Sequence, residues 1–152
     1  METSRHDALN RFNYLLGETD ALYHELANRL GLSDSALRIL YTLCDQGDPC
    51  ALQEICRRSG LNKQTVNSAL RKLEQEGVLY LQSTGPRTKQ VCLTGSGRAL
   101  ARRTAGRIIQ MENTVLAAWD VRDVKAYLAY TERFLGDMRQ QAAALAAEEE
   151  AL

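Results

Sequence analysis

The stretch that decides the fold is Leu52-Gln-Glu-Ile-Cys-Arg-Arg-Ser-Gly-Leu-Asn-Lys-Gln-Thr-Val-Asn-Ser-Ala-Leu-Arg-Lys-Leu-Glu-Gln-Glu-Gly77. It predicts two helices, over residues 52–59 and 63–76, joined by the connection Gly60-Leu61-Asn62. Gly60 breaks the first helix, Asn62 is a good N-cap for the second, and Gly77 ends it. Two helices with this spacing are typical of a helix-turn-helix.

The second of these helices has two chemically different faces at about 100° per residue. One face is apolar and is formed by Val66, Ala69, Leu70 and Leu73. The other is polar and carries no carboxylate; it is formed by Gln64, Asn67, Ser68, Arg71 and Gln75. Asn and Gln can pair with adenine and Arg with guanine, while neighbouring Lys, Arg and Thr side chains suit phosphates. The predicted DNA contacts of this helix are Asn62, Lys63, Gln64, Thr65, Asn67, Ser68, Arg71 and Lys72. Arg57 and Arg58 are expected to flank them on the phosphates.

A β-hairpin is predicted directly after Gly77, because the short β-prone runs 78–82 and 90–93 flank the turn-forming segment 83–89. The tip of this hairpin presents Arg87 and Lys89 beside Gly85-Pro86. We expect both side chains to contact DNA. The sequence leaves open whether Arg87 enters a minor groove or contacts a phosphate.

Long helices are predicted on either side of this region. The first runs over about residues 9–30 and ends at Gly31, and a second is capped by Ser33 and ends at Gly47. One long helix should follow the hairpin, capped by Thr94 or Ser96 and continuing through Leu116, and Asp120 should cap a last one. The predicted fold is therefore mainly α with a small β-hairpin wing: a winged helix-turn-helix over residues 35–94, with a helical dimerisation region over 1–34 and 95–152.

Dimerisation is expected from helix length. A helix of about 25 residues is near 37 Å long, whereas a compact chain of this size has a radius of gyration of only about 15 Å. The apolar stripes of the terminal helices would then need a second surface, which the same helices of another copy supply in a symmetric dimer.

The charge of the chain is zero, from 19 Lys+Arg and 19 Asp+Glu, but it is unevenly distributed. Residues 1–50 carry −4, residues 51–110 carry +8 and residues 111–152 carry −4. This segregation favours an anionic partner for the middle third. No apolar run is long enough to span a bilayer and the start lacks a signal-peptide pattern, so we expect a cytoplasmic protein without membrane contact.

Enzymatic and metal chemistry find little support in the sequence. There is no Ser-His-Asp set, phosphate loop or metal-ligand cluster, so no enzyme, cofactor or metal is expected. The four cysteines, Cys44, Cys50, Cys56 and Cys92, form no C-x-x-C pair, and we expect reduced thiols. Cys50, beside a turn, is the best candidate for a reactive thiol, although an inert buried thiol is the favoured interpretation.

The chain resembles the winged helix-turn-helix of the MarR family, the multiple antibiotic resistance regulators, over about residues 36–105. The resemblance is carried by the segment 52–77, by the hairpin, and by the following Val91-Cys-Leu-Thr-Gly-Ser-Gly97. The resemblance implies a homodimeric transcriptional regulator, more often a repressor, that binds double-stranded DNA at a pseudo-palindromic operator. It also implies a small-ligand or oxidant-sensing pocket between the dimerisation helices and the winged domain.

Three features depart from the family pattern. Family wings commonly carry an aspartate shortly before the tip arginine, where this chain has Thr84-Gly-Pro-Arg87. The first helix lacks the reactive cysteine of peroxide sensors. The helix after the wing lacks the histidines of zinc-sensing members.

A ligand pocket near the domain junction is predicted from polar and aromatic residues that suit a phenolic or carboxylate effector. They are Tyr14, Tyr23, His24, Tyr41 and Arg107. Core positions for Tyr23 and Tyr41 are the competing interpretation. A competing function for the whole chain is a winged-helix module for protein interaction or assembly, without sequence-specific DNA binding.

Overall fold

The structure is a computed structural model that describes residues 4–151. Along that range the elements are α1 (Arg5–Arg29), α2 (Asp34–Gln46), β1 (Cys50–Ala51), α3 (Leu52–Ser59), α4 (Lys63–Gln75), β2 (Leu79–Gly85), β3 (Thr88–Leu93), α5 (Gly95–Arg103), α6 (Ala105–Ala117) and α7 (Val121–Glu150). The chain divides into two compact units, one ending at Ile109 and the other beginning at Gln110. The predicted mainly helical fold with a small hairpin wing is confirmed.

Helix boundaries follow the predicted caps, because each cap supplies an acceptor for an otherwise unpaired amide. The Ser33 hydroxyl accepts from the Ala36 amide at 3.2 Å, and Asn62 Oδ1 accepts from the Thr65 amide at 2.8 Å. Asp120 Oδ1 accepts from the Arg122 amide at 2.8 Å. At the other ends, Gly60 and Gly77 adopt positive φ angles of 68° and 73°, which side-chain-bearing residues rarely adopt.

The sheet has three antiparallel strands in the order β1-β3-β2. Strand β1 was not predicted: it has two residues, too few for a periodic pattern, and it exists through pairing of Cys50 with Val91 and of Ala51 with Gln90. The hairpin strands extend further than predicted, to the pair Gly85–Thr88. Pro86 and Arg87 therefore form a tight turn at the tip of the wing.

The prediction of one continuous helix after the wing was wrong, because α5 and α6 are separated at Thr104, where φ is −119° and ψ is −92°. At the break the Thr104 hydroxyl donates to the Leu100 carbonyl at 2.7 Å, a bond that Thr42 and Thr131 also make to carbonyls four residues earlier within unbroken helices. Gly106 allows the bend, since a Cβ there would lie 3.3 Å from the Ala101 carbonyl oxygen. The cap of α5 is Thr94, whose Oγ1 accepts from the Gly97 amide at 2.9 Å.

The core of the first unit is built around α2. Its residues Ile39, Leu40 and Leu43 are fully buried in the same cluster as side chains from α3, α4 and the sheet. Burying each such side chain contributes about 1.5–3 kcal/mol. From α4 the cluster takes Val66, Ala69, Leu70 and Leu73, which confirms the predicted apolar face of that helix.

Close packing of α5 against the base of the wing generates the first prediction. A Cβ on Gly97 would lie 1.8 Å from the Val78 carbonyl oxygen, which is backbone and cannot rotate away. We expect Gly97→Ala to lower the free energy of unfolding by at least about 2 kcal/mol through overpacking, measured by urea denaturation.

Gly95→Ala is the matched control, since nothing lies within 4 Å of a Cβ at that position of the same helix. Its stability should stay within about 1 kcal/mol of the wild type. Equal stability of the two variants would contradict the tight approach of α5 to Val78.

Candidate nucleic-acid interface

The polar face of α4 is turned away from the core. Gln64, Ser68, Arg71 and Lys72 are exposed, and Thr65 and Asn67 are half-buried. The hydrophobic face is fixed by burial, so rotation of the helix about its axis would expose apolar side chains to water. The predicted division of α4 into two faces is therefore confirmed.

The start of α4 carries a positive end of the helix dipole and no acidic side chain in its first turn. Asn62 uses its side-chain oxygen as the N-cap, which leaves its NH₂ group for other partners. Lys63, the first helical residue, is exposed. The start of α4 therefore presents amide donors and positive charge together, the combination that binds anions at helix N-termini.

Arg57 and Arg58 on α3 are both bound to one carboxylate. Arg57 Nη2 lies 2.8 Å from Glu54 Oε1, and Arg58 Nε lies 2.9 Å from Glu54 Oε2. The hydrogen bond from Arg57, followed by that from Arg58, lowers the pKa of the Glu54 carboxyl. The two arginines that the sequence places on phosphates are therefore partly neutralised within α3.

The wing is held by uncharged hydrogen bonds where the family pattern would have an acidic residue. Gln90 Nε2 donates to Gln82 Oε1 at 2.8 Å across the strands, and Thr84 Oγ1 donates to Thr88 Oγ1 at 3.0 Å nearer the tip. Arg87 is exposed at the turn. The fold of the wing thus needs no charge from its tip.

The remaining basic side chains of α4 and the wing have no acidic partner among residues 4–151. We call them the free basic set, and its members are Lys63, Arg71, Lys72, Arg87 and Lys89. All five are exposed. Their charge is available to an external anion.

A groove of about 530 Å³ lies between the end of α2, the end of β3 and α5–α6. Apolar side chains form most of its wall: Leu43, Cys44, Leu93, Ala101 and Ile109. Asp48, Arg98 and Arg102 supply the charged groups. Sequence reasoning missed this site, since its members are far apart in the chain and carry no motif.

An ion pair lies in the wall of this groove. Asp48 Oδ1 accepts from the Leu93 amide at 2.8 Å, and Asp48 Oδ2 lies 3.3 Å from Arg98 Nη1. The same Nη1 donates to the Leu93 carbonyl at 3.1 Å. Asp48 and Arg98 therefore join the turn before β1 to the end of the wing and the start of α5.

The residues predicted for a ligand pocket lie in different surroundings. Tyr23 and Tyr41 pack against the core, and His24 Nδ1 lies 2.9 Å from the Asp34 carboxylate. Tyr14 is exposed beneath the Arg11 guanidinium, and Arg107 is exposed on α6. None of the five lines the groove between α2 and α5–α6 or a second groove of about 560 Å³ beside α4.

Two of the four thiols, Cys44 and Cys50, lie in surroundings that favour their protonated form. Burial, followed by the nearby Glu54 carboxylate, raises the pKa of Cys50, and burial raises the pKa of Cys44. Raised pKa values disfavour the reactive thiolate. Across the described part of the chain, no group of His, Cys, Asp and Glu side chains is arranged to hold a metal ion, and no helix is long and apolar enough to cross a bilayer.

Comparison with family models matches residues 30–87 to the MarR family. The matched range runs from the end of α1 to the tip of the wing. The search of curated proteins found no match. The family match confirms the resemblance drawn from the sequence.

Solved structures share the fold over most of the chain. A MarR family regulator from Neisseria meningitidis has a TM-score of 0.78 and 19% identity, covering 90% of this chain and 96% of its own. The S. aureus MepR–DNA complex has a TM-score of 0.67 and 20% identity, covering 90% and 99%. Bordetella bronchiseptica BpsR, whose DNA binding is regulated by 6-hydroxynicotinic acid, has a TM-score of 0.60 and 20% identity, covering 83% and 98%.

Proposed function

We propose that this chain, a MarR-family winged-helix protein, is a transcriptional regulator that binds a pseudo-palindromic DNA operator as a homodimer and acts as a ligand-responsive repressor. The observation that carries the proposal is the polar face of α4, exposed opposite the core and accompanied by the free basic set; the one carboxylate of the helix, Glu74, lies in its last turn. The DNA complex of a structural neighbour supports the same partner.

In this proposal α4 contacts the base edges, and the basic residues around it contact the DNA backbone and so position the helix. Gln64, Asn67 and Arg71 carry the amide and guanidinium groups that pair with base edges in the major groove. Lys63 and Lys72 contact phosphates, and the wing brings Arg87 and Lys89 to the neighbouring backbone or minor groove. Residues 35–94 form the DNA-binding domain in this proposal.

A homodimer is proposed because the terminal helices are apolar but uncovered in one chain. On α1 the exposed apolar residues include Leu9, Phe12, Leu15, Leu16 and Leu22. The 30 residues of α7 include none that is buried. An apolar surface of this extent marks an interaction site, and we assign it to residues 1–34 and 95–152 of a second copy.

The sequence of α7 supports helix pairing in particular. Val121, Val124, Leu128, Leu135, Met138 and Leu145 occupy alternating three- and four-residue positions of a heptad, with Thr131 and Ala142 completing the series. A heptad stripe favours packing of one helix along another. A dimer also gives two copies of α4 for two half-sites about 10 base pairs apart.

Effector binding is proposed in the groove between α2 and α5–α6. Its apolar wall with Arg98 and Arg102 suits a small aromatic or aliphatic carboxylate. A bound carboxylate would compete with Asp48 for Arg98, and Asp48 also accepts from the β3 backbone. An effector changes DNA binding only if its affinity differs between the DNA-binding arrangement of the chain and another arrangement that does not bind DNA. A role for Tyr14, Tyr23, His24, Tyr41 and Arg107 in the same response stays a prediction.

The function is tested by selection from randomised duplexes followed by titration. The wild type should enrich an inverted repeat and bind it with a strong salt dependence. Arg71→Ala should cost about 1–3 kcal/mol per half-site and relax the preference at one base pair. Lys72→Ala should weaken binding to all duplexes alike and reduce the salt slope by about 0.9 per subunit.

Equal salt slopes and unchanged preference in both variants would contradict these roles. A wild type with no enriched sequence and no salt-dependent affinity would favour the alternative, a winged-helix module for protein interaction.

Dimerisation is tested by sedimentation velocity at micromolar concentration. The wild type should sediment at twice the chain mass of 17.0 kDa. Leu135→Glu places a charge in the heptad stripe of α7 and should shift the protein toward monomer. Ala129→Glu adds the same charge to the same helix outside the stripe and should leave the dimer intact. A wild-type monomer would overturn the assignment of the terminal helices.

The effector proposal is tested with benzoate as the probe. Millimolar benzoate should weaken operator binding by the wild type, measured by fluorescence anisotropy, and Arg102→Gln should reduce this response without changing affinity in its absence. Arg103→Gln is the control, because Arg103 is adjacent but does not line the groove. Identical responses of the two variants, or none in the wild type, would exclude benzoate-type carboxylates from this groove.

A further inference from the structure

Arg38 is an exposed residue of α2 whose side chain reaches the turn of the helix-turn-helix. Its Nη1 donates to the Ser59 carbonyl at 3.1 Å. A Cβ on Gly60 would lie 3.5 Å from the same nitrogen. The guanidinium therefore lies directly over the turn that joins α3 to α4.

The hydrogen bond from Arg38 satisfies a backbone group that the helix leaves unpaired. Ser59 is the last residue of α3, and the last carbonyls of a helix lack an intrahelical donor. On the inner side, the buried Ser59 hydroxyl donates to the Cys56 carbonyl at 3.4 Å and accepts from the Leu61 amide at 3.3 Å. The turn is thus held from the inside by Ser59 and from the outside by Arg38.

The charge of Arg38 is not neutralised within the chain. Among the described residues Arg38 forms no ion pair, whereas Arg57 and Arg58 of the same helix-turn-helix share Glu54. A guanidinium has five N–H donors, and the bond to Ser59 uses one. Its planar fork and permanent charge suit an oxyanion such as phosphate.

The position of the turn in the fold indicates which anion Arg38 would meet. It leads within four residues to Lys63, the first residue of α4, which the proposed function places against DNA. The N-terminal amides of α4 and Lys63 already favour a negative group there. Arg38, on another helix, adds a second cation beside the turn that leads into α4.

We propose that Arg38 binds a backbone phosphate of DNA while its hydrogen bond to Ser59 fixes the helix-turn-helix turn. The inference rests on the proposed DNA-binding function. It adds a DNA contact on α2, outside α4 and the wing. Because the contact is to phosphate, it contributes affinity on any sequence and sets the register of α4 without reading a base.

Arg38→Gln and Arg38→Lys separate the two roles. Glutamine keeps an N–H donor for the Ser59 carbonyl and removes the charge, while lysine keeps the charge. On an inverted-repeat operator the dimer carries each substitution twice, so Arg38→Gln should reduce the magnitude of the salt slope by about 1.8 and the affinity at 0.1 M salt by at least about 10-fold. Arg38→Lys should retain the wild-type slope, and the preferred sequence should be unchanged in both.

Arg139→Gln in α7 is the control, since it makes the same change in net charge outside the helix-turn-helix and should leave the slope unchanged. Thermal unfolding accompanies each titration. If Arg38→Gln is destabilised, Arg38→Met is used in its place. A contact through charge predicts a smaller salt slope for Arg38→Met and the wild-type salt slope for Arg38→Lys.

The outcomes distinguish the inference from the function on which it rests. If Arg38→Gln and Arg38→Met keep the wild-type salt slope, Arg38 only caps the Ser59 carbonyl. This result would overturn the inference and leave the proposed DNA binding intact. An equal loss in Arg139→Gln would assign the effect to net charge and overturn it as well. Absence of salt-dependent binding in the wild type would overturn the proposed function itself, and the phosphate contact with it.

Discussion

Burial of one face of α4 against the α2-centred core is the constraint on which the rest depends. Val66, Leu70 and Leu73 are nearly inaccessible to water. A rotation of α4 by one residue, about 100°, would bring polar side chains into a core that offers them no hydrogen-bond partners. The apolar stripe therefore fixes the direction of the polar face, and the arrangement proposed to read DNA follows from a requirement of folding.

A second constraint is the pairing of some basic side chains around α4 and the wing with carboxylates of the same chain. Glu54 holds Arg57 and Arg58, and Asp48 holds Arg98. Within the wing, hydrogen bonds between neutral side chains join the strands, such as that between Gln82 and Gln90. Eight of the eleven basic residues in 51–110 have no ion-pair partner among the described residues: the five of the free basic set, together with Arg102, Arg103 and Arg107 on α5 and α6.

The sequence was sufficient wherever structure is decided by neighbours along the chain. Caps such as Ser33 and Asn62, and glycines such as Gly60, act within one helical turn, so the ends of α2, α3 and α4 were predicted to within about a residue. The start of α1 at Arg5 lies about four residues before the predicted one. Features decided by distant residues were not. Strand β1 exists only by pairing with β3, and the Asp48–Arg98 ion pair joins residues 50 positions apart. The break at Thr104 could not be predicted from the sequence, because many helical threonines donate to a carbonyl one turn earlier without breaking the helix.

Pairing of basic groups also bears on how specificity is achieved. Binding through phosphates alone is independent of sequence, and each neutralised phosphate raises affinity for every duplex alike. A chain with net charge zero and six of its arginines already paired with carboxylates gains less from contacts with DNA of any sequence. In the proposed complex, the difference between operator and other DNA would come from the few amide and guanidinium groups on α4 and from the spacing of its two copies. In the proposed dimer the terminal helices would also bear on specificity, because they would set the distance between the two copies of α4.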